Sequence, residues 1–106
     1  MPKYLIAGSY SAEGLKGLQR DKASGRRQAV SSAIEALGGK LETVHFALGQ
    51  DDVYVICELP DHLTATALAL SVSATGLVHT RTTQLLTVEE ADQALAKTVS
   101  YRPPGG

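Results

Sequence analysis

The stretch from Gly38 to Leu59 constrains the fold most. It reads Gly-Gly-Lys, an alternating segment, the turn Gly49-Gln50-Asp51-Asp52, and then Val53-Tyr54-Val55-Ile56-Cys57-Glu58-Leu59. This is the pattern of a β-hairpin entered directly from a helix. Gly38 ends the helix, because a left-handed cap carries no penalty without a Cβ. The strand over Lys40–Leu48 places Glu42, Val44, Phe46 and Leu48 on one face and Leu41, Thr43, His45 and Ala47 on the other. The strand over Val53–Leu59 separates Val53, Val55 and Cys57 from Tyr54, Ile56 and Glu58.

Similar punctuation divides the rest of the chain. Lys3–Tyr10 reads as the first strand, with Tyr4, Ile6 and Gly8 opposite Leu5, Ala7 and Ser9. Ser11–Gly25 contains three glycines and several charges, which predicts a loop with a helical turn at Leu15–Leu18. A helix follows over Arg26–Leu37, capped by Ser24, with Val30, Ala33, Ile34 and Leu37 as its apolar stripe. Pro60-Asp61 stops a strand and caps a second helix, whose stripe is Leu63, Ala67, Leu70 and Ala74 and whose end is Gly76. A fourth strand covers Leu77–Leu86, with Leu77, His79, Arg81, Thr83 and Leu85 on one side. Thr87 opens a last helix, with Glu90 at capping-box spacing.

The order β-α-β-β-α-β plus a C-terminal helix predicts an α+β, ferredoxin-like fold. Its four-stranded antiparallel sheet carries helices on one face, with strand order 4-1-3-2. Residues 1–97 make one domain and 98–106 a tail. A chain of 106 residues buries only about two-thirds of its unfolded surface, so association helps it. The bare sheet face needs a cover, and a second copy of the same sheet is the simplest one. The expected partner is therefore the chain itself, as a homodimer or a larger dimer-based oligomer closing an α/β barrel.

Composition excludes several classes. Ten basic residues against eleven acidic ones, with no cluster beyond Arg26-Arg27, argue against nucleic acid. One cysteine and no Cys-His spacing exclude a disulfide framework and a zinc motif. No apolar run approaches the ~18 residues of a membrane span. Met-Pro-Lys-Tyr lacks a signal-peptide pattern, and a cytoplasmic location is expected. No cofactor motif stands out. Gly38-Gly39 follows a helix rather than preceding one, and no Gly-x-Ser-x-Gly elbow occurs.

Ser11-x-x-Gly14, Leu37-Gly38-Gly39-Lys40, Gly49-x-x-Asp52, Pro60-Asp61 and Gly76-x-Val78-x-Thr80-x-Thr82 together resemble the GYD-domain family, over roughly Lys3 to Glu90. The resemblance implies a ferredoxin-like fold of the dimeric α/β-barrel superfamily, with no assigned activity. In the family's namesake motif a Tyr precedes the Asp; here Asp51 stands in that place. The role of that tyrosine is then absent or moved, with Tyr54 the nearest substitute. The family's Asn and Arg near Leu77 and His79 imply a retuned polar set on the fourth strand.

Each candidate polar residue has a structural use beside a functional one. Asp52 opens a strand, where Asp commonly bonds its own backbone; otherwise it anchors a ligand. Asp51 and Asp52 point to opposite sides of the chain, so a shared carboxylate dyad is not expected. His45 and His79 lie on mixed faces of the second and fourth strands, at opposite edges. They are satisfied structural groups or, as catalytic candidates, general bases near neutral pH. Arg81 suits a bidentate fork to a ligand carboxylate, or an ion pair. Tyr4 and Tyr54, as ligand-binding candidates, offer hydroxyls, though packing is the commoner use of Tyr. Cys57 is expected to be a core thiol.

The leading expectation is a small protein that binds an organic ligand in a cavity at the sheet face. One rival is a cofactor-independent enzyme of the oxygenase, isomerase or dehydratase type, as in relatives within the superfamily. In it His79 or His45 shuttles a proton while Arg81 and Tyr54 hold an oxyanion. The other is a structural oligomer with no ligand.

Overall fold

The structure, a computed structural model, describes residues 1–106. Its elements are β1 (Lys3–Tyr10), α1 (Ala12–Ala36), β2 (Lys40–Phe46), β3 (Val53–Glu58), α2 (His62–Ala74), β4 (Val78–Leu85) and α3 (Val88–Leu95). The strands form one antiparallel α+β sheet in the order β2-β3-β1-β4. The edges are therefore β2 and β4. No helix is long and apolar enough to cross a membrane.

Local chemistry explains most boundaries. Asp61 accepts from the Thr64 N–H at 2.8 Å and caps α2. Those backbone donors hold the Asp61 carboxyl below its ordinary range. Thr87 and Glu90 form the reciprocal capping box of α3. Gly38 and Gly76, with φ of 82° and 70°, make the left-handed stops after α1 and α2.

The region predicted as a loop is instead helical. Ser11, not Ser24, is the cap, and its Oγ accepts from the Gly14 N–H at 3.1 Å. The glycines disfavour helix by propensity, but tertiary contact overrides them. The Ser11 N–H donates to the Leu77 carbonyl at 2.9 Å. A Cβ on Gly14 would lie 2.1 Å from that same Leu77 oxygen, so glycine is what allows the helix start to dock there. The helix then breaks at Lys22, which sits at φ 64°, ψ 167°.

The core lies between one sheet face and the helices. Tyr4, Val53, Val55 and Cys57 from the sheet pack with Ile34 of α1, Ala65 of α2 and Leu59. Two predicted faces need correction. In β2 the register slips between Leu41 and Thr43, which makes Glu42 a bulge residue. Leu41 thus joins Val44 and Phe46 opposite Cys57, Val55 and Val53, while Glu42 pairs with Lys3 at 3.1 Å. In α2 the expected stripe is on the outer side, with Leu63 71% and Leu70 66% exposed. The inward side carries Ala65, Leu68, Ala69 and Val72. Leu, Ala and Val recur on every side of His62–Ala74 between its Thr and Ser residues, so its periodicity cannot set its phase.

Candidate functional site

Six residues link β2 to β3 (Ala47–Asp52), and the end of that loop presents its two carboxylates in opposite directions. The Asp52 N–H donates to the Gly8 carbonyl at 2.8 Å, and the Asp52 Oδ2 accepts from the Tyr10 N–H at 2.8 Å. Its side chain prolongs the β3–β1 ladder past Val53, which is a structural use. Asp51 points onto the sheet face that no helix covers. It is 6% exposed, and its Oδ1 accepts from the Ser9 hydroxyl at 3.1 Å. Its Oδ2 accepts from the Tyr54 hydroxyl at 3.4 Å and from the Arg81 guanidinium.

Strand register explains this convergence. His45 lies opposite Tyr54, Tyr54 opposite Ala7, and Ala7 opposite Arg81, giving one transverse row across the sheet. Ser9 and His79 pair one step along, on the same face. The open face therefore brings Ser9, Tyr54 and Arg81 together on Asp51, while His45 and His79 share that face on opposite edge strands and do not meet. The Arg81 side chain is 62% exposed and neutralises a carboxylate that is 9% exposed. Tyr4 does not join them. It lies on the other face, opposite Cys57 in the core, with its hydroxyl buried and unpartnered. Cys57 is fully buried; burial, then the negative charge of Glu42, pushes its thiol up to about 11. No group of three or more His, Cys, Asp or Glu side chains assembles to hold a metal ion.

The helix-covered face contains a second feature. A cavity of about 150 Å³ separates the sheet from α1 and α2, lined by apolar side chains including Tyr10, Val30, Val44, Phe46 and Val72. Arg26, Arg27, Thr80 and Thr82 interrupt that lining, and no acidic side chain contributes to it. The Arg26 Nε and Thr80 Oγ1 are buried without a hydrogen-bond partner. The nearest acid to Arg26 is Asp21, at 3.9 Å across the break in α1, too long for a hydrogen bond.

Arg26 and Thr80 are not among the site residues expected from the sequence, where Asp51 figures as a departure from a motif and as half of a dyad that its direction excludes. A signal for Arg26 exists, since it precedes Val30 and Ile34 at successive i, i+4 steps and thus shares their stripe. Asp51 has no such local signal, because its partners come from β1 and β4.

The GYD domain family model matches residues 4–95 of the chain. No curated protein and no solved structure matches it.

Proposed function

The chain belongs to the GYD domain family, and we propose that it is a self-associating protein that binds a small organic molecule at the helix-covered face of its sheet. The observation that carries this reading is the apolar cavity between the sheet and α1 and α2, about 150 Å³ in volume. A concave apolar surface with a few polar groups is the usual form of a small-molecule site, and one this small suits only a small molecule. The arrangement is ferredoxin-like, with one helix between β1 and β2 and another between β3 and β4. In the oligomer the open sheet faces of two copies stack into a barrel. Leu5, Tyr54, Ile56 and Leu85 supply apolar contact on that face, and the neutralised Asp51–Arg81 pair can enter the interface without an uncompensated charge.

A second reading places an enzyme site on the open face, with His79 or His45 as the proton shuttle. The convergence of Ser9, Tyr54 and Arg81 on Asp51 favours it. One experiment separates the two. A metabolite panel is screened by thermal shift, since a ligand that binds only the folded chain raises its stability. Each hit is then incubated with protein and followed by mass. Recovery unchanged, with binding lost on filling the cavity by Val72→Trp, supports the binder. Turnover that His79→Ala or His45→Ala abolishes supports the enzyme. Light scattering at micromolar concentration tests self-association separately, and a monomer there removes the barrel.

A further inference from the structure

We propose that the ligand of the cavity between the sheet and α1 and α2 is a small apolar organic acid, with Arg26 holding its carboxylate. This inference rests on the cavity being a ligand site, and it assigns the chemistry that the site selects.

Size limits the ligand first. About 150 Å³ is the volume at which an apolar protein cavity accepts a benzene ring. The lining from Val30, Val44, Phe46 and Val72 offers no hydrogen bonds to a polar body. The body of the ligand is therefore one aromatic ring or a short branched aliphatic chain.

Charge sets its polar end. Two arginines line the cavity, and no carboxylate does. A cationic ligand would be buried without a counter-charge and beside two like charges, which disfavours it. An anion instead meets Arg26. The buried Nε of that residue has no partner, and its terminal nitrogen is only loosely paired to Asp21, at 3.9 Å. A turn of the guanidinium that opens Nε to the cavity presents Nε and one terminal nitrogen as the side-on fork that matches the two oxygens of a carboxylate. The unpartnered hydroxyl of Thr80 is a further polar group in the lining.

The test titrates the full chain with benzoate, hexanoate and the neutral benzyl alcohol by calorimetry, with amide chemical shifts locating the site. The expected result is that benzoate binds about tenfold or more tighter than benzyl alcohol, the factor given by a charge-assisted hydrogen bond. Arg26→Gln should bring benzoate down to the level of benzyl alcohol and leave benzyl alcohol unchanged. Arg81→Ala should change neither. Equal binding of acid and alcohol overturns the organic-acid assignment, and benzoate binding that survives Arg26→Gln overturns the role of Arg26; both results keep the cavity as a site. If no probe binds, or Val72→Trp and Ala33→Phe both fold and retain binding, the cavity itself is not a ligand site. Loss of benzoate with Arg81→Ala but not Arg26→Gln moves the site to the open face and overturns the proposal.

Discussion

Asp51 shows how much one side chain can organise. The chain buries its carboxylate and surrounds it with Ser9, Tyr54 and Arg81. Asp51→Ala removes the acceptor for all of them and should cost about 1–3 kcal/mol, measured by urea unfolding. Much of that cost should come from the hydroxyls, because Arg81 is mostly exposed. A double-mutant cycle of Asp51→Asn with Arg81→Gln should give a coupling of about 1 kcal/mol or less in the isolated chain, where Arg81 meets water, and more wherever a partner copy covers it. A coupling several times larger would mean that Arg81 is shielded from water, as in a buried interface. Cys57 predicts a pH effect. Its folded value is about 11 against an ordinary 9.0, so between those pH values the unfolded chain loses a proton that the folded one keeps. Stability is retained below pH 9 and falls as pH rises toward 11, by about 2–3 kcal/mol from this thiol. Unfolding of the wild type and Cys57→Ala at pH 8 and pH 10.5 checks the sign. An equal alkaline loss in both would remove Cys57 as its cause.

Helix α1 contains the one non-glycine residue with positive φ, Lys22 at 64°. With ψ at 167° it lies in a region that side chains rarely adopt, at a cost of about 1–3 kcal/mol. Lys22→Gly relieves that strain but gains freedom in the unfolded chain worth about 0.4–1 kcal/mol. The expected net effect is a stabilisation of about 1 kcal/mol, read as a rise in Tm of about 4 °C or more. A fall in Tm would show that the break relaxes in solution into one continuous helix. The break was hidden in the sequence because glycines at 14, 17 and 25 suggest a loop around it, whereas Ser11 and Gly14 start a helix by docking on Leu77. Gly14→Ala must displace that carbonyl and should destabilise by on the order of 2 kcal/mol. Strands and caps were easier to read. The range of β1 and the capping residues Asp61 and Thr87 coincide with those predicted, because alternation and caps depend on residues only two or three apart.

The molecule as a whole is more open than its length requires. Its radius of gyration is 16.7 Å, against about 13 Å for a compact chain of this size. Only 11 of 106 residues are buried, while Leu63, Leu70 and other large apolar side chains face outward. A lone chain with so little core gains stability from a partner. If the open sheet face supplies that contact, Ile56→Asp places an unpaired charge in it. It should convert the oligomer to monomer in light scattering and lower Tm in a concentration-dependent way. An unchanged oligomer in Ile56→Asp would move the interface elsewhere, and the exposed Leu63–Leu70 side of α2 is then the surface to mutate.

The order of elements, their caps and turns, and the buried face of β3 follow from short-range pattern, because each depends on neighbours within one turn or one pleat. The GYD resemblance was readable for the same reason, since its motifs are turns and caps in a fixed order. Contacts between distant segments decided the rest. The bulge at Glu42 moved Leu41 to the core face, and packing against the sheet chose the inward side of an α2 with Leu, Ala and Val on every side. Asp51 met Arg81 from 30 residues away and Ser9 from 42. The opening between sheet and helices, with the unpartnered Arg26 in its wall, belongs to no segment. It exists only because helices fixed at both ends to one sheet leave space between them, and no local pattern of residues encodes that distance.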